Sequence, residues 1–181
     1  MTLNSSLIDV LHSARPAADR ADKMNLYGRF IGAWDMDVVT HEPGGAKHNG
    51  RGEIHFGWVL EGRAIQDVWM IPPRAERSPD APLLPVAGNW YGTTLRVYDP
   101  GIDAWHITWI DPAMQQFMRQ IGRARGPDIV QEAASENGVT RRWSFTEIKH
   151  DSFHWLGEVS TDGGATWRLQ VEVFARARRY R

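Results

Sequence analysis

Two carboxylates of this chain stand in register with aromatic residues on strand-like stretches: Asp67 in "GRAIQDVWMI" and Glu147 in "RRWSFTEI". An acid held among aromatic side chains is desolvated, the condition under which Asp or Glu serves as a general acid or base. Asp67 meets it only if Ile65, Asp67 and Trp69 point inward; the opposite face, Ala64, Gln66, Val68 and Met70, is equally open on pattern alone. The other charged strand residues, Arg96, Arg142, Glu158, Arg168 and Glu172, suit a wet outer face carrying cross-strand ion pairs. Of the seven histidines, His48, His55, His106, His150 and His154 lie on or beside strands. No His-x-His or His-Glu-x-x-His spacing occurs, and His150 and His154 straddle a turn, so no metal site is expected. Haem ligation by His154 or His106 requires the opposite facing of their strands. With no cysteine in the chain, disulfides and thiolate chemistry are excluded. No nucleophile–base–orienter set can be assembled from spacing, and no cofactor is expected.

The elements that must position these groups follow from the change of period along the chain. From Leu3 to Tyr27 the apolar residues Leu7, Val10, Leu11 and Ala14 recur at helical spacing, with Pro16 interrupting. Beyond Phe30 the period becomes two. "GAWDMDVV", "RGEIHFGWVL", "GRAIQDVWMI", "NWYGTTLRVYD", "AWHITWID", "RRWSFTEI", "FHWLGEVS" and "WRLQVEVFAR" read as strands, and Gln116–Arg123 and Asp128–Ala133 as two weaker ones. Turn signals such as "EPGGAKHNG", "DPGID", "ENG" and "TDGG" separate them. About ten strands joined by short turns predict an antiparallel up-and-down barrel, because closure removes both sheet edges. A mainly β fold follows, with residues 1–27 as a helical cap and 28–178 as the barrel. The one long irregular connection, Pro72 to Asn89, is either a surface excursion or a lid across one barrel end.

Nine tryptophans in 181 residues bear on what fills that barrel. Clean alternation turns Trp34, Met36, Phe56, Trp58, Trp105, Ile107, Trp109, Trp143, Phe145, Phe153, Trp155, Trp167, Leu169 and Val171 inward. On the stretch from Trp90 to Tyr98, the face of Tyr91, Thr93, Leu95 and Val97 is the better inward candidate. These rings either fill a solid core or line a cavity, and ten strands favour the cavity. The expected ligand contacts are Trp58, Trp69, Tyr91, Thr93, Trp105, Trp109, Trp143, Phe145 and Trp155. The partner implied is a flat apolar small molecule, aromatic or polyketide-like. The alternative is a cofactor-independent cyclase, isomerase or hydratase using Asp67 or Glu147 as acid/base. Arg119, Arg123 and Arg125 in "QIGRARGPD" could draw a carboxylate-bearing ligand to a barrel mouth. The net charge of −1 offers no case for nucleic acid or membrane partners. The N-terminus has neither a charged n-region nor a long apolar stretch, so a cytoplasmic protein is expected, and a closed barrel without edges is expected as a monomer or as a homodimer through an outer sheet face.

Two stretches carry resemblances. "STDGGATW", Ser160 to Trp167, is spelled like the Asp-box of sialidase-like propellers, but it occurs once and a propeller needs its blade motif repeated. It reads instead as the hairpin before the last strand. "GRFIGAWDMDVV" resembles the Gly-x-Trp start of lipocalins and other calycins. That resemblance implies a barrel plugged by Trp34, with Arg176 or Arg178 packed on the indole as a cation–π partner. The order of motifs from residue 28 to 176 is similar to a bacterial lipocalin-like family of unknown function. It implies a fold and supplies no mechanism.

Overall fold

The computed structural model describes residues 6–78 and 89–178. A short helix α1 (Leu7–Leu11) leads into a two-residue strand β1 (His12–Ser13) and then helix α2 (Ala21–Gly28). Ten longer strands follow: β2 (Gly32–His41), β3 (Lys47–Val59), β4 (Ala64–Ile71), β5 (Trp90–Asp99) and β6 (Ala104–Asp111). The second five are β7 (Gln116–Arg125), β8 (Asp128–Ala133), β9 (Thr140–Thr146), β10 (Ser152–Ser160) and β11 (Arg168–Ala177). Each pairs antiparallel with its neighbour in sequence, β11 returns to β2, and the ring closes. The expected meander barrel is therefore what forms, with β1 added beside the end of β3 through His12–Val59 and Ser13–Trp58 pairing.

The helical stretch expected from Leu3 to Tyr27 is interrupted around Pro16, as that residue implied. Pro16 has no N–H to donate, and between α1 and α2 the chain passes through β1 and then a 3-10 turn at Ala18–Arg20. Leu7, Ile8 and Val10 of α1 stay exposed, so their helical spacing marks no buried stripe. α2 behaves differently. Met24 and Tyr27, with Phe30 just beyond the helix, are fully buried and enter one end of the barrel. There Phe30 stacks on Phe145 at 4.7 Å and meets Phe153 edge-on at 4.9 Å, while Tyr27 meets Trp105 edge-on at 5.0 Å. Gly28 lets α2 lie against Trp58, since a Cβ there would fall 2.5 Å from the indole.

Facing along the strands mostly follows the expected alternation, with one inversion. On β4 the inward set is Ile65, Asp67 and Trp69. On β5 it is Trp90, Gly92, Thr94, Arg96 and Tyr98, so Tyr91, Thr93, Leu95 and Val97 lie on the outer face. Tyr91 is 42% exposed, its ring covered by the Arg77 guanidinium at 4.8 Å. Thr93 donates to the Asp67 carbonyl at 2.6 Å and accepts from Gln66. Neither is a cavity residue. The inversion arises because β5 is apolar on both registers and its inward side carries a charge, which pattern reading assigns to solvent. Trp167 is a second correction. It lies under the Arg142 guanidinium at 4.0 Å, on the side of β9 opposite Trp143, and donates its N–H to the Gly164 carbonyl.

The connection from Pro72 to Asn89 falls largely outside the described residues. What precedes it is anchored by Arg77, which donates to the carbonyls of Ile71 and Trp90 and to Asn89 Oδ1. "STDGGATW" forms the β10–β11 hairpin, as expected. Asp162 accepts from the Thr166 N–H at 2.9 Å, the Thr166 hydroxyl at 2.6 Å and the Ser160 hydroxyl at 2.7 Å. Gly163 and Gly164 take positive φ, which a side chain would resist. Those hydrogen bonds, the Thr166 hydroxyl first, hold the Asp162 carboxyl far below the usual carboxylate range. A depressed folded-state pKa contributes stability above the unfolded value of about 4, lost as pH falls through the folded value. Asp162→Asn is expected to flatten the acid limb of the thermal midpoint against pH. An unchanged limb would remove this turn from the acid response.

Candidate ligand cavity

Successive inward positions on a strand lie about 6.8 Å apart along its axis. One face therefore supplies residues to both ends of the barrel. Towards the end plugged by α2, these are Trp105, Phe145, Phe153, Trp58 and Tyr98. Towards the other end stand Trp69 of β4, Trp90 of β5, Trp109 of β6, Trp143 of β9 and Trp155 of β10. These five indoles border a cavity of about 260 Å³. Ring centroids are 5.3 Å apart for Trp69 and Trp155, 5.5 Å for Trp143 and Trp155, and 5.8 Å for Trp109 and Trp143. Gly92 makes room for the Trp109 ring, which its Cβ would otherwise strike.

The floor of the cavity is polar. Arg96 is 1% exposed and borders the cavity, while its guanidinium also lies 5.0 Å from the Tyr27 ring and 5.7 Å from Phe56 in the plugged half. Its Nη1 donates to Asp67 Oδ2 and its Nε to Gln131 at 3.4 Å; Gln131 in turn donates to Gln120 at 3.3 Å. The second Asp67 oxygen accepts the Thr94 N–H at 2.9 Å. Register explains the meeting: Asp67 pairs with Thr94 and Ile65 with Arg96, so acid and base lie on a diagonal of the β4–β5 ladder. Burial pushes the Tyr27 phenol upward, so it stays protonated against this pair. The Trp69 Nε1–H on the cavity wall has no hydrogen-bond partner among the described residues. Thr40, Gln116, Arg141 and Gln170 border the open end.

Of the ligand contacts expected from sequence, Trp69, Trp109, Trp143 and Trp155 come together around this space. Trp58, Trp105 and Phe145 point inward but belong to the plugged half, where α2 covers them. Trp90 was missed, since it opens β5 on the face taken to be outward. Glu147 is exposed at a left-handed position with φ of 49° beyond the end of β9, so it is no interior acid. Alternation holds only as far as the strand does, and β9 ends at Thr146. Trp34 is buried at the plugged end and donates its N–H to the Phe30 carbonyl at 2.7 Å. No arginine covers it among the described residues. Arg176 pairs with Asp37 on the outer face, and Arg178 pairs with Asp35 and, at 2.7 Å, with Glu53. Phe153 packs on the indole instead, at 4.9 Å.

Arg119, Arg123 and Arg125 are all exposed or part-exposed and none borders the cavity. His154 and His41 lie on the outer face, each placing Nε2 on one oxygen of Glu172, at 3.0 and 2.9 Å. His106 contacts Asp99, His48 contacts Glu42, and His55 stands 3.5 Å from Glu53. No group of three or more His, Asp or Glu converges to hold a metal among the described residues. No helix among them is long and apolar enough to cross a membrane.

No family model and no curated protein matches the sequence. Solved structures do. Rv2717c from M. tuberculosis superposes with a TM-score of 0.55 at 13% identity, over 88% of this chain and 99% of that one. The S-type phycobiliprotein lyase CPES from Guillardia theta gives 0.55 at 9% identity, over 92% and 100%. The likeness is one of fold. It supports the lipocalin-like barrel that the Gly-x-Trp start suggested.

Proposed function

We propose that this chain binds a flat apolar small molecule, aromatic or polyketide-like, in the tryptophan-lined half of its barrel. The observation that carries this reading is the cavity itself, walled by five indoles and carrying a Trp69 N–H that has no partner among the described residues. Aromatic walls favour stacked or edge-on contact with a flat ring system, and one or two polar groups fix its orientation. At about 260 Å³ the space lies just below the ~300–1,000 Å³ of drug-sized sites, which suits two or three fused rings. The shared fold with a phycobiliprotein lyase is in keeping with the handling of a small molecule. Asp67, on which a catalytic alternative would turn, is engaged by Arg96 and Thr94 and does not border the cavity, which favours binding over acid/base chemistry.

The test uses a neutral two-ring probe, 2-naphthamide, followed by calorimetric titration and by quenching of tryptophan emission. Trp155→Ala removes a ring that touches three of the other four indoles, and is expected to weaken binding by about tenfold or more. Trp58→Ala, in the plugged half, should leave affinity unchanged. Equal losses in both variants, or no binding by the parent protein, would overturn the assignment of this cavity.

A further inference from the structure

Charge around the cavity is one-sided. Among the described residues two arginines border it, Arg96 at the floor and Arg141 at the rim, and no carboxylate does. Arg96 is balanced from behind by Asp67, so the floor is neutral as a pair. No described carboxylate balances Arg141. It stands two residues before Trp143 on β9, hence on the same inward face and one step nearer the open end, and is only half-buried. Its guanidinium makes no ion pair or hydrogen bond with any described residue. Its neighbour on the outer face contrasts with it: Arg142 is held by Glu158 at 2.8 Å and covers Trp167. A lone guanidinium beside low-dielectric aromatic walls attracts an anion more strongly than the same group in open water. Its planar fork also matches an oxyanion in two-point contact.

We infer that the ligand is an aromatic anion whose ring system stacks within the indole cavity and whose carboxylate, or comparable oxyanion, is held by Arg141 at the rim. This rests on the binding role proposed above and adds the chemical class of the ligand. It also replaces the arginines that sequence alone offered for a carboxylate: Arg119, Arg123 and Arg125 stand away from the cavity.

A matched pair of probes separates the two ideas. 2-Naphthoate and 2-naphthamide have the same rings and nearly the same shape, and differ in charge at pH 7. Titration calorimetry on the full chain should show naphthoate binding about tenfold tighter or better, with the advantage shrinking as salt is added. Arg141→Gln should remove the preference by costing naphthoate far more affinity than naphthamide, while Arg141→Lys should retain part of it. Equal binding of both probes to the parent protein would overturn the anion assignment and leave the aromatic cavity standing. A preference that survives Arg141→Gln would overturn the role of Arg141. Binding of neither probe would overturn the cavity reading and this inference together.

Discussion

Alanine at position 67 is expected to lower the stability of this protein by about 3–5 kcal/mol, the usual cost of removing one partner from a buried ion pair. Asp67 and Arg96 have side chains 0% and 1% exposed, so neither charge has solvent to fall back on. Deleting the carboxylate leaves the guanidinium among Tyr27, Phe56 and Phe145, whose ring faces contribute only a fraction of the lost interaction. It also leaves the Thr94 N–H without its acceptor. Arg96→Met should be of similar size, because it strands a carboxylate instead. The diagnostic is the double variant Asp67→Ala with Arg96→Met. If the two groups exist for each other, the pair removed together costs far less than the sum of the single losses. Urea unfolding followed by tryptophan emission gives all four values. Additive losses, or single losses below about 1 kcal/mol, would mean that the pair is not coupled as its geometry implies.

The same pair shows why part of this site was legible in sequence and part was not. The barrel could be read because period-two stretches and turn signals recur from Gly32 to the last strand, and because ten hairpin-linked strands have to close. Trp69 sat on a stretch whose facing the pattern left open, whereas three of the five cavity indoles, Trp109, Trp143 and Trp155, followed from alternation alone. Arg96 did not, because arginine is almost never fully buried without a partner, and the strand carrying it offers Tyr91, Leu95 and Val97 as a more apolar face. A signal was present nonetheless. Placing Asp67 inward demands a buried cation within reach, and Arg96 is the one basic residue on the strand that pairs next to it. The register that puts them on a diagonal was hidden by the long connection between β4 and β5, which breaks the hairpin count. Trp90 was lost to the same inversion. Glu147 failed for a different reason: the alternation was carried one residue beyond a strand that ends at Thr146.

Aromatic content by itself could not say whether the barrel was solid or hollow, and the outcome is that each half answers differently. The inward face of β9 sends Phe145 into the plugged half and Trp143 to the cavity, and that of β10 does the same with Phe153 and Trp155. What separates the halves is not strand sequence but α2, which delivers Tyr27 and Phe30 into one end only. The helix thus determines where a ligand can go. Arg96 and Asp67 lie at the boundary, giving the cavity a polar floor that a helix plug alone would not supply.

That division makes Phe30→Ala the most informative change in the plugged half. Phe30 is 1% exposed, touches Trp34, Phe56, Phe145 and Phe153, and has its carbonyl held by the Trp34 indole. Truncating a buried phenylalanine of this kind is expected to cost about 3–5 kcal/mol, through lost transfer energy and the void left behind. The void opens beneath the Arg96–Asp67 floor, which remains hydrogen-bonded through Thr94 and Gln131. Affinity for a two-ring probe should therefore hold within about twofold while the urea midpoint falls sharply, a shift small beside the tenfold that 1.4 kcal/mol represents. Affinity that fell tenfold along with stability would mean that the floor does not insulate the cavity. The plug would then shape the binding site as directly as the indoles do, and α2 would have to be counted among its walls.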